Sequence, residues 1–268
     1  MNVLTSEPIA IVLSAPGTNR QYDAEFALTR AGAVVQHVDV RDLDDQENAL
    51  AQAQLIVVAG GFSYADALGS ARVFAIEMEQ RVGSLLQEKA DSGVAILGIC
   101  NGFQMLVRAG ILPGSPFGEA ALAHNTRGNF ECRWVDLAPV SQHCVWTRDL
   151  PTISCPVAHG EGRFVCDDNT LSALHENDCI ALRYVSSDGS SANGLYPANP
   201  NGSVDDIAGV CNVNGNVLGM MPHPENHVLS RQRYSFHNSR ESKCDARDSR
   251  QGLALQLFRN GVDYARHS

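Results

Sequence analysis

Cys100 has the sequence surroundings of an activated nucleophile. An apolar run ends directly before it, Gly98 and Gly102 stand two residues to either side, and a helix-like pattern follows. Paired glycines let the backbone turn sharply from a strand into a helix, which leaves the side chain between them exposed at the carboxyl edge of the sheet. Unpaired N–H groups and the positive end of the helix dipole favour thiolate over thiol. We therefore predict that Cys100 is a nucleophile, with a buried structural cysteine as the alternative.

His223 and Glu225 are a candidate base and a candidate orienting carboxylate. Pro222 and Pro224 hold the backbone extended around His223. In an extended segment a spacing of two puts both side chains on the same side, and neighbouring structure or a bend would let the carboxylate fix the imidazole. The alternative is a solvated histidine and glutamate in a loop, because the His-Pro-Glu tripeptide alone is a weak signal.

Strand and helix patterns alternate over residues 9–110. Strands are predicted at 9–13, 34–40, 55–58 and 94–99, and helices at 22–31 and 72–86. Such alternation forces parallel pairing with crossovers on both faces, which predicts a doubly wound α/β sheet. Ligands of these sheets lie beyond the carboxyl ends of the strands. Cys100 falls at that edge, as do Gly60 and Gly61, which follow the third strand.

Residues 113–221 change to short strand patterns without a helix period. Strands are predicted at 130–137, 153–158, 163–166, 179–185, 207–211 and 217–221. We interpret them as the antiparallel second half of a single domain spanning 1–268, which a helix at 252–266 closes. A polar insertion at about 229–250 carries six Lys or Arg residues against three Asp or Glu residues. It is predicted to be a solvated loop, with a docking surface as the alternative.

The composition excludes several functional classes. The 268 residues are 44% hydrophobic, which is ample for a core, and the net charge of −10 argues against binding nucleic acid. Residues 1–8 do not resemble a leader, and no apolar run is long enough to cross a membrane, so we expect a cytoplasmic protein. The eight cysteines contain no Cys-x-x-Cys spacing. This predicts reduced thiols, with neither a disulfide framework nor a metal site.

Four motifs together resemble the class I glutamine amidotransferases. They are Gly-Gly-Phe-Ser-Tyr at 60–64, Leu-Gly-Ile-Cys-Asn-Gly-Phe-Gln at 97–104, Pro-Val-Ala-His-Gly-Glu-Gly-Arg-Phe at 156–164 and Gly-Met-Met-Pro-His-Pro-Glu at 219–225. The third motif, together with residues 199–203 and 206–210, is more closely similar to the glutaminase-subunit family of phosphoribosylformylglycinamidine synthases. The resemblance implies a flavodoxin-like, mostly parallel sheet with an antiparallel extension.

The resemblance also implies a role for individual residues. Cys100 would be the nucleophile, His223 the base and Glu225 the group that orients His223. Gln104 would contact the amino-acid part of substrate glutamine, with an ordinary surface glutamine as the alternative. Acyl transfer also needs oxyanion donors, for which we predict the backbone N–H of Asn101 and that of Gly61 or Phe62. One departure is Ala65, which stands where the family usually has glycine.

The implied function is to hydrolyse glutamine and deliver ammonia to a synthetase that amidates formylglycinamide ribonucleotide in purine biosynthesis. The chain has no Gly-x-x-x-x-Gly-Lys-Ser/Thr motif, so we expect ATP and Mg²⁺ on the synthetase partner and no cofactor in this chain. A small accessory subunit is a further expected partner. Two alternatives stay open: an amidotransferase subunit for another acceptor, and a regulatory binding module without turnover.

Overall fold

The computed structural model describes residues 7–82, 84–233 and 253–268. For residues 44–48 and 82 it describes the backbone but not the side chain. Most of the predicted insertion at 229–250 lies outside the described residues. The strands are β1 (Ile9–Ser14), β2 (Val34–Asp39), β3 (Leu55–Val58), β4 (Ala95–Ile99), β5 (Ala120–Ala123), β6 (Glu131–Pro139), β7 (Ile153–His159), β8 (Arg163–Cys166), β9 (Ile180–Val185), β10 (Ile207–Cys211) and β11 (Val217–Met220). The helices are α1 (Gln21–Ala31), α2 (Leu43–Gln52), α3 (Arg72–Val82), α4 (Leu85–Asp91), α5 (Asn101–Arg108), α6 (Asp168–Glu176) and α7 (Leu255–Ala265).

Nine strands form one sheet in the order β2-β1-β3-β4-β11-β10-β9-β6-β7, and β5 pairs separately with β8. The first five run parallel, and their order is the flavodoxin-like 2-1-3-4-5 when β11 is counted fifth. The remaining pairs are antiparallel. The predicted parallel sheet with an antiparallel extension is therefore confirmed.

The parallel strands are covered on both sides, which explains their continuous apolar sequences. Every residue of β3 and of β4 is buried, as is typical of strands that lie between two helical layers. In register, Leu97 of β4 stands between Val57 of β3 and Leu218 of β11. Helix α5 packs against β4 and β11, and α7 packs against α1. The carboxyl ends of β3, β4 and β11 thereby meet at one edge, beside the start of α5.

Two predictions of secondary structure are wrong, and one helix was not predicted. The single helix at 72–86 is two helices, α3 and α4, and the sequence between them contains Gly83 and Ser84, which are poorer helix formers than alanine. Helix α2 lies in a segment with few apolar residues, so no helix pattern is visible there. Helix α6 contradicts the prediction that 113–221 lacks helix. Asp167 caps α6 by accepting a hydrogen bond from the Thr170 N–H at 2.7 Å.

Among the described residues, no helix combines the length and the apolar character that crossing a bilayer requires.

Candidate active site

The turn at Cys100 has the geometry of a nucleophile elbow. Strand β4 ends at Ile99, α5 begins at Asn101, and Cys100 between them has φ 51° and ψ −105°. Non-glycine residues rarely adopt a positive φ, and such strain is concentrated at active sites. Both flanking residues must be glycine, because neighbouring backbone atoms lie too close to leave room for a Cβ. A Cβ on Gly102 would lie 2.1 Å from the Val58 carbonyl oxygen, and one on Gly98 would lie 2.9 Å from the Gly102 backbone.

Cys100 lies where the three strand ends meet. Its N–H donates to the Met220 carbonyl oxygen at 2.8 Å, and its own carbonyl accepts from the Gln104 N–H at 3.0 Å to close the first turn of α5. The residue is 4% exposed, and its Sγ is 3.9 Å from the Ala158 carbonyl oxygen at the end of β7. The thiol is therefore shielded by the chain, with the free N–H groups of a helix terminus beside it.

His223 and Glu225 are joined by a short hydrogen bond. The His223 Nδ1 is 2.6 Å from the Glu225 Oε1, and both side chains are almost fully buried. Pro224 begins a 3₁₀ turn at Pro224–His227, so a bent backbone rather than an extended one brings the carboxylate to the ring. Because a carboxylate accepts, Nδ1–H donates and Nε2 is left for Cys100. The Cys100 thiol lies beside the His223 ring, close enough to affect the pKa of the imidazole.

The charges around His223 raise the pKa of its imidazole. Burial is the largest single effect and lowers that pKa, but the negative charge of Glu225, the neighbouring Cys100 and the hydrogen bond to Glu225 outweigh burial, so the pKa rises to about 10. The ring therefore keeps its second proton at neutral pH. A protonated imidazole beside a thiolate is the arrangement that activates cysteine nucleophiles.

Gly60 borders the side chains of both Cys100 and His223. A Cβ on Gly60 would lie 3.4 Å from the Cys100 Cβ and 2.9 Å from the His223 Cε1. We therefore expect Gly60→Ala to displace the imidazole and lower kcat for any reaction at Cys100 about 100-fold, the usual cost of a misplacement near 1 Å. Gly160→Ala is the matched control, because its Cβ would meet nothing closer than the Phe130 ring at 3.9 Å. Equal kcat values in the two variants, measured as product release under saturating substrate, would contradict this account.

The two candidate oxyanion donors after Gly60 differ in their hydrogen bonding. The Phe62 N–H donates to the Gly17 carbonyl oxygen at 3.3 Å, which favours the Gly61 N–H as the donor. Gly61 has φ 146°, and a Cβ there would lie 2.6 Å from the Asn19 N. The Phe62 side chain is 42% exposed and stacks on Phe130, with ring centroids 6.2 Å apart. The Phe62 ring is thus part of the surface.

Asn101 and Gln104 belong to a buried hydrogen-bond network. The Asn101 Nδ2 donates to the Gln104 Oε1 and to the Asp66 Oδ1, both at 3.1 Å, and the Gln104 Nε2 donates to the Glu161 carbonyl oxygen. Burial raises the pKa of Asp66, and the charge of Glu161 adds to the effect. The Gln104 amide thus connects α5 to the turn after β7. Its contact with substrate stays a prediction.

The comparisons with known proteins agree with this geometry. The family model for the CobB/CobQ-like glutamine amidotransferase domain matches residues 7–265. The chain belongs to this family.

One relative is a phosphoribosylformylglycinamidine synthase subunit PurQ from Treponema denticola, 44% identical over 96% of this chain and 99% of the relative. Another, of the same name and from Methanococcus maripaludis, is 39% identical over 96% and 97%. The solved structure of PurLQS from Thermotoga maritima has a TM-score of 0.69 and 30% identity, covering 96% of this chain and 99% of that one.

His159 and Asn201 lie in the amidotransferase motifs but received no role from the sequence. The Asn201 Nδ2 is 3.1 Å from the His159 Nε2 and 3.2 Å from the Tyr184 Oη. Burial, helped by the charge of His223, lowers the pKa of His159 to about 3, so this histidine is neutral. Burial and the charge of Cys100 raise the pKa of Tyr184. These side chains form a polar cluster near Cys100 and His223.

A groove of about 930 Å³ lies between α3, α5 and residues 112–122. Gln104 and Arg108 are among the residues that line it, whereas Cys100 and His223 are not. Gln104 is thus a predicted site residue that lines this groove.

Proposed function

We propose that the chain is the glutaminase subunit of a phosphoribosylformylglycinamidine synthase. The observation that carries the proposal is the buried set of Cys100, His223 and Glu225, in which Glu225 is hydrogen-bonded to His223 and Cys100 lies beside the His223 ring. Family membership over nearly the whole chain supports the same function. The alternative of a regulatory binding module is disfavoured, because a module without turnover has no need of a nucleophile, a proton donor and an orienting carboxylate together.

In the first half of the reaction, the Cys100 thiolate attacks the side-chain amide carbon of glutamine. An amide carbonyl is a poor electrophile, so the negative oxygen of the tetrahedral intermediate needs hydrogen-bond donors. The N–H groups of Asn101 and Gly61 supply them, and loss of one such donor typically costs about 3 kcal/mol of transition-state stabilisation. The imidazolium of His223 gives its proton to the departing ammonia, and a thioester remains on Cys100.

In the second half, neutral His223 takes a proton from water, and the resulting hydroxide attacks the thioester carbon. Collapse of the second tetrahedral intermediate releases glutamate and restores the thiolate and the imidazolium. Glu225 holds the ring through Nδ1 in both halves, so that Nε2 alone faces the reacting atoms. The products of each turnover are one glutamate and one ammonia.

Ammonia is then used by a synthetase partner that amidates formylglycinamide ribonucleotide. ATP and Mg²⁺ belong to that partner in this proposal, and a small accessory subunit completes the complex in the cytoplasm. The family name PurQ and the assembly called PurLQS support this organisation.

Reconstitution tests the proposal and separates it from the second alternative, an amidotransferase for another acceptor. The chain and its synthetase would be supplied with glutamine, ATP and formylglycinamide ribonucleotide, and both glutamate and formylglycinamidine ribonucleotide would be measured. We expect the two products in a one-to-one ratio. Glutamate release without amidation of this acceptor would favour the alternative, whereas no glutamate under any condition would favour the binding module.

We also expect the isolated chain to be a weak glutaminase that the loaded synthetase activates about 100-fold, the scale of effect that a misplaced catalytic group produces. The segment after Gly61 is strained: Tyr64, Ala65, Asp66 and Leu68 all have φ between 52° and 64°. Ala65 stands where the family usually has glycine. Strained segments persist only when their surroundings hold them, and Leu68 is 79% exposed. A partner that contacts this segment can therefore shift Gly61 between two arrangements.

The measurement is glutamate release by the chain alone, by the chain with synthetase, and by that complex with formylglycinamide ribonucleotide and ATP. The same kcat/KM in all three conditions would show that the sites are not coupled, while the glutaminase function itself would stand.

A further inference from the structure

A cluster of cysteines and a histidine lies at the edge of the sheet opposite to Cys100. Cys179 directly precedes β9, Cys211 ends β10, and the Cys211 N–H donates to the Cys179 carbonyl oxygen at 2.9 Å. Because β10 runs antiparallel to β11, its last residue lies at the amino ends of the parallel strands. His143 and Cys144 reach the same place from the segment between β6 and β7. The glutaminase reaction uses none of these four residues.

The side chains of this cluster converge within metal-binding distance. One ligand atom from each of His143, Cys179 and Cys211 lies within 4.8 Å of the others. The Cys211 Sγ is 3.9 Å from the His143 Nε2. Cys144 is a further neighbour of Cys211, outside the set of three residues whose ligand atoms lie within 4.8 Å. The three cysteines have no exposed surface, and the His143 side chain is 33% exposed, which leaves a route for an ion from solvent.

Asp178 orients His143 as a carboxylate orients a metal-binding histidine. The Asp178 Oδ2 is 3.3 Å from the His143 Nδ1 and accepts hydrogen bonds from the Gln142 N–H at 2.6 Å and from the Ser141 hydroxyl at 3.3 Å. It accepts from Nδ1–H and leaves the Nε2 lone pair directed at the thiols, which is the carboxylate–histidine–zinc arrangement.

We propose that His143, Cys179 and Cys211 bind one Zn²⁺, with Cys144 as the fourth ligand. Three thiolates and one imidazole form the Cys₃His set of structural zinc sites, which are closed and tetrahedral. Each thiol releases a proton to solvent on binding, so the metal replaces three buried S–H groups by coordinated thiolates. The ion ties the segment between β6 and β7 to β9 and β10. Its role is to stabilise this half of the sheet, not to take part in glutamine hydrolysis.

The ligands come from three separate segments of the chain, which explains why the absence of a Cys-x-x-Cys spacing predicted no metal site. Only the antiparallel pairing of β9 with β10 brings Cys179 and Cys211 together.

The test is a Zn²⁺ titration of the reduced, metal-free full chain carrying Cys100→Ser, so that the catalytic thiol cannot contribute. We expect one Zn²⁺ per chain in competition with a chelator. Cys179→Ser and Cys211→Ser should each weaken binding by at least about 100-fold, because changes to outer partners alone already cost about 10- to 100-fold. Cys132→Ser, at an exposed cysteine of β6, is the matched control and should bind as the parent does.

Two further variants keep the test sharp if the buried substitutions fail to fold. His143→Asn alters a partly exposed side chain and should also lose Zn²⁺, and Asp178→Asn should weaken binding about 10- to 100-fold. With Co²⁺ as the probe, thiolate-to-metal charge transfer and a tetrahedral ligand-field spectrum are expected, and Cys144→Ser should weaken the charge-transfer band. A chelator should lower the melting temperature of the parent but not that of His143→Asn.

Three results would overturn the proposal. One is a reduced chain that binds no Zn²⁺, and the second is equal binding by Cys179→Ser and Cys132→Ser. The third is a Cys179–Cys211 disulfide in chain purified without reductant, with no metal binding after reduction. An unchanged affinity in Cys144→Ser would overturn the assignment of the fourth ligand. Glutaminase activity is measured separately on the chain with Cys100 intact, so failure of this proposal leaves the proposed function untouched.

Discussion

Cys100→Ser is expected to lower glutamine-dependent glutamate release by at least about 10⁴-fold, the scale of loss seen when a catalytic nucleophile is removed. A serine hydroxyl in this place lacks the thiolate that pairs with the imidazolium of His223. The oxygen is also smaller than sulfur, so the elbow and its packing should be retained. In the reconstituted complex, amidation driven by added ammonia should therefore continue. Added ammonia reaches the synthetase directly, without formation of a thioester on Cys100.

Both activities of that complex are measured on one preparation, with Cys132→Ser as the control. Cys132 is exposed, and its replacement should leave both rates unchanged. Loss of the ammonia-dependent activity in Cys100→Ser would mean that the substitution damages assembly. Retention of the glutamine-dependent activity would remove Cys100 from its role as nucleophile.

Short-range signals made the parallel half of the fold and its elbow predictable. Gly98 and Gly102 predict the turn at Cys100, and the structure shows why both must be glycine. A Cβ on Gly102 would meet the Val58 backbone of β3, and one on Gly98 would meet the Gly102 backbone of α5. The buried strands β1, β3 and β4 are continuous apolar runs, because helices cover both faces of the sheet. In such segments the local sequence pattern and the tertiary environment favour the same secondary structure, so the sequence alone is sufficient to predict it.

The features that the sequence missed depend on contacts between distant segments. Asn201 meets His159 and Tyr184 only because the antiparallel strands fold the motif at 156–164 against residues 199–203. The spacing of apolar residues within one helix or strand carries no information about such a contact between distant segments. The spacing of His223 and Glu225 suggested a link, but the 3₁₀ turn that makes it a 2.6 Å hydrogen bond depends on the packing of Pro224. Helix α6 is short, and the capping residue Asp167 is the main feature of the local sequence that could have predicted it.

His223→Ala is expected to lower kcat for glutamate release by at least about 10⁴-fold, since one ring carries both proton transfers. Cys100 and His223 act as a unit. The double variant Cys100→Ser with His223→Ala should therefore be no slower than the slower single variant. Additive losses in the double variant would show that the two side chains work independently, contrary to the proposed activation of Cys100 by its neighbour His223.

The raised pKa of His223 predicts the pH dependence of the same reaction. The imidazolium must be present to protonate departing ammonia, so the descending limb of kcat should lie near pH 10, where His223 loses its proton. Glu225→Gln removes the negative charge that contributes most to raising this pKa. The limb should then move to lower pH, and kcat at neutral pH should fall less than in His223→Ala, because the ring itself remains.

Glu77→Gln, which alters an ion pair with Arg81 on α3, is the control and should leave the limb in place. A limb that stays near pH 10 in Glu225→Gln would show that the buried carboxylate does not hold the proton on His223, and the proposed role of Glu225 would be wrong.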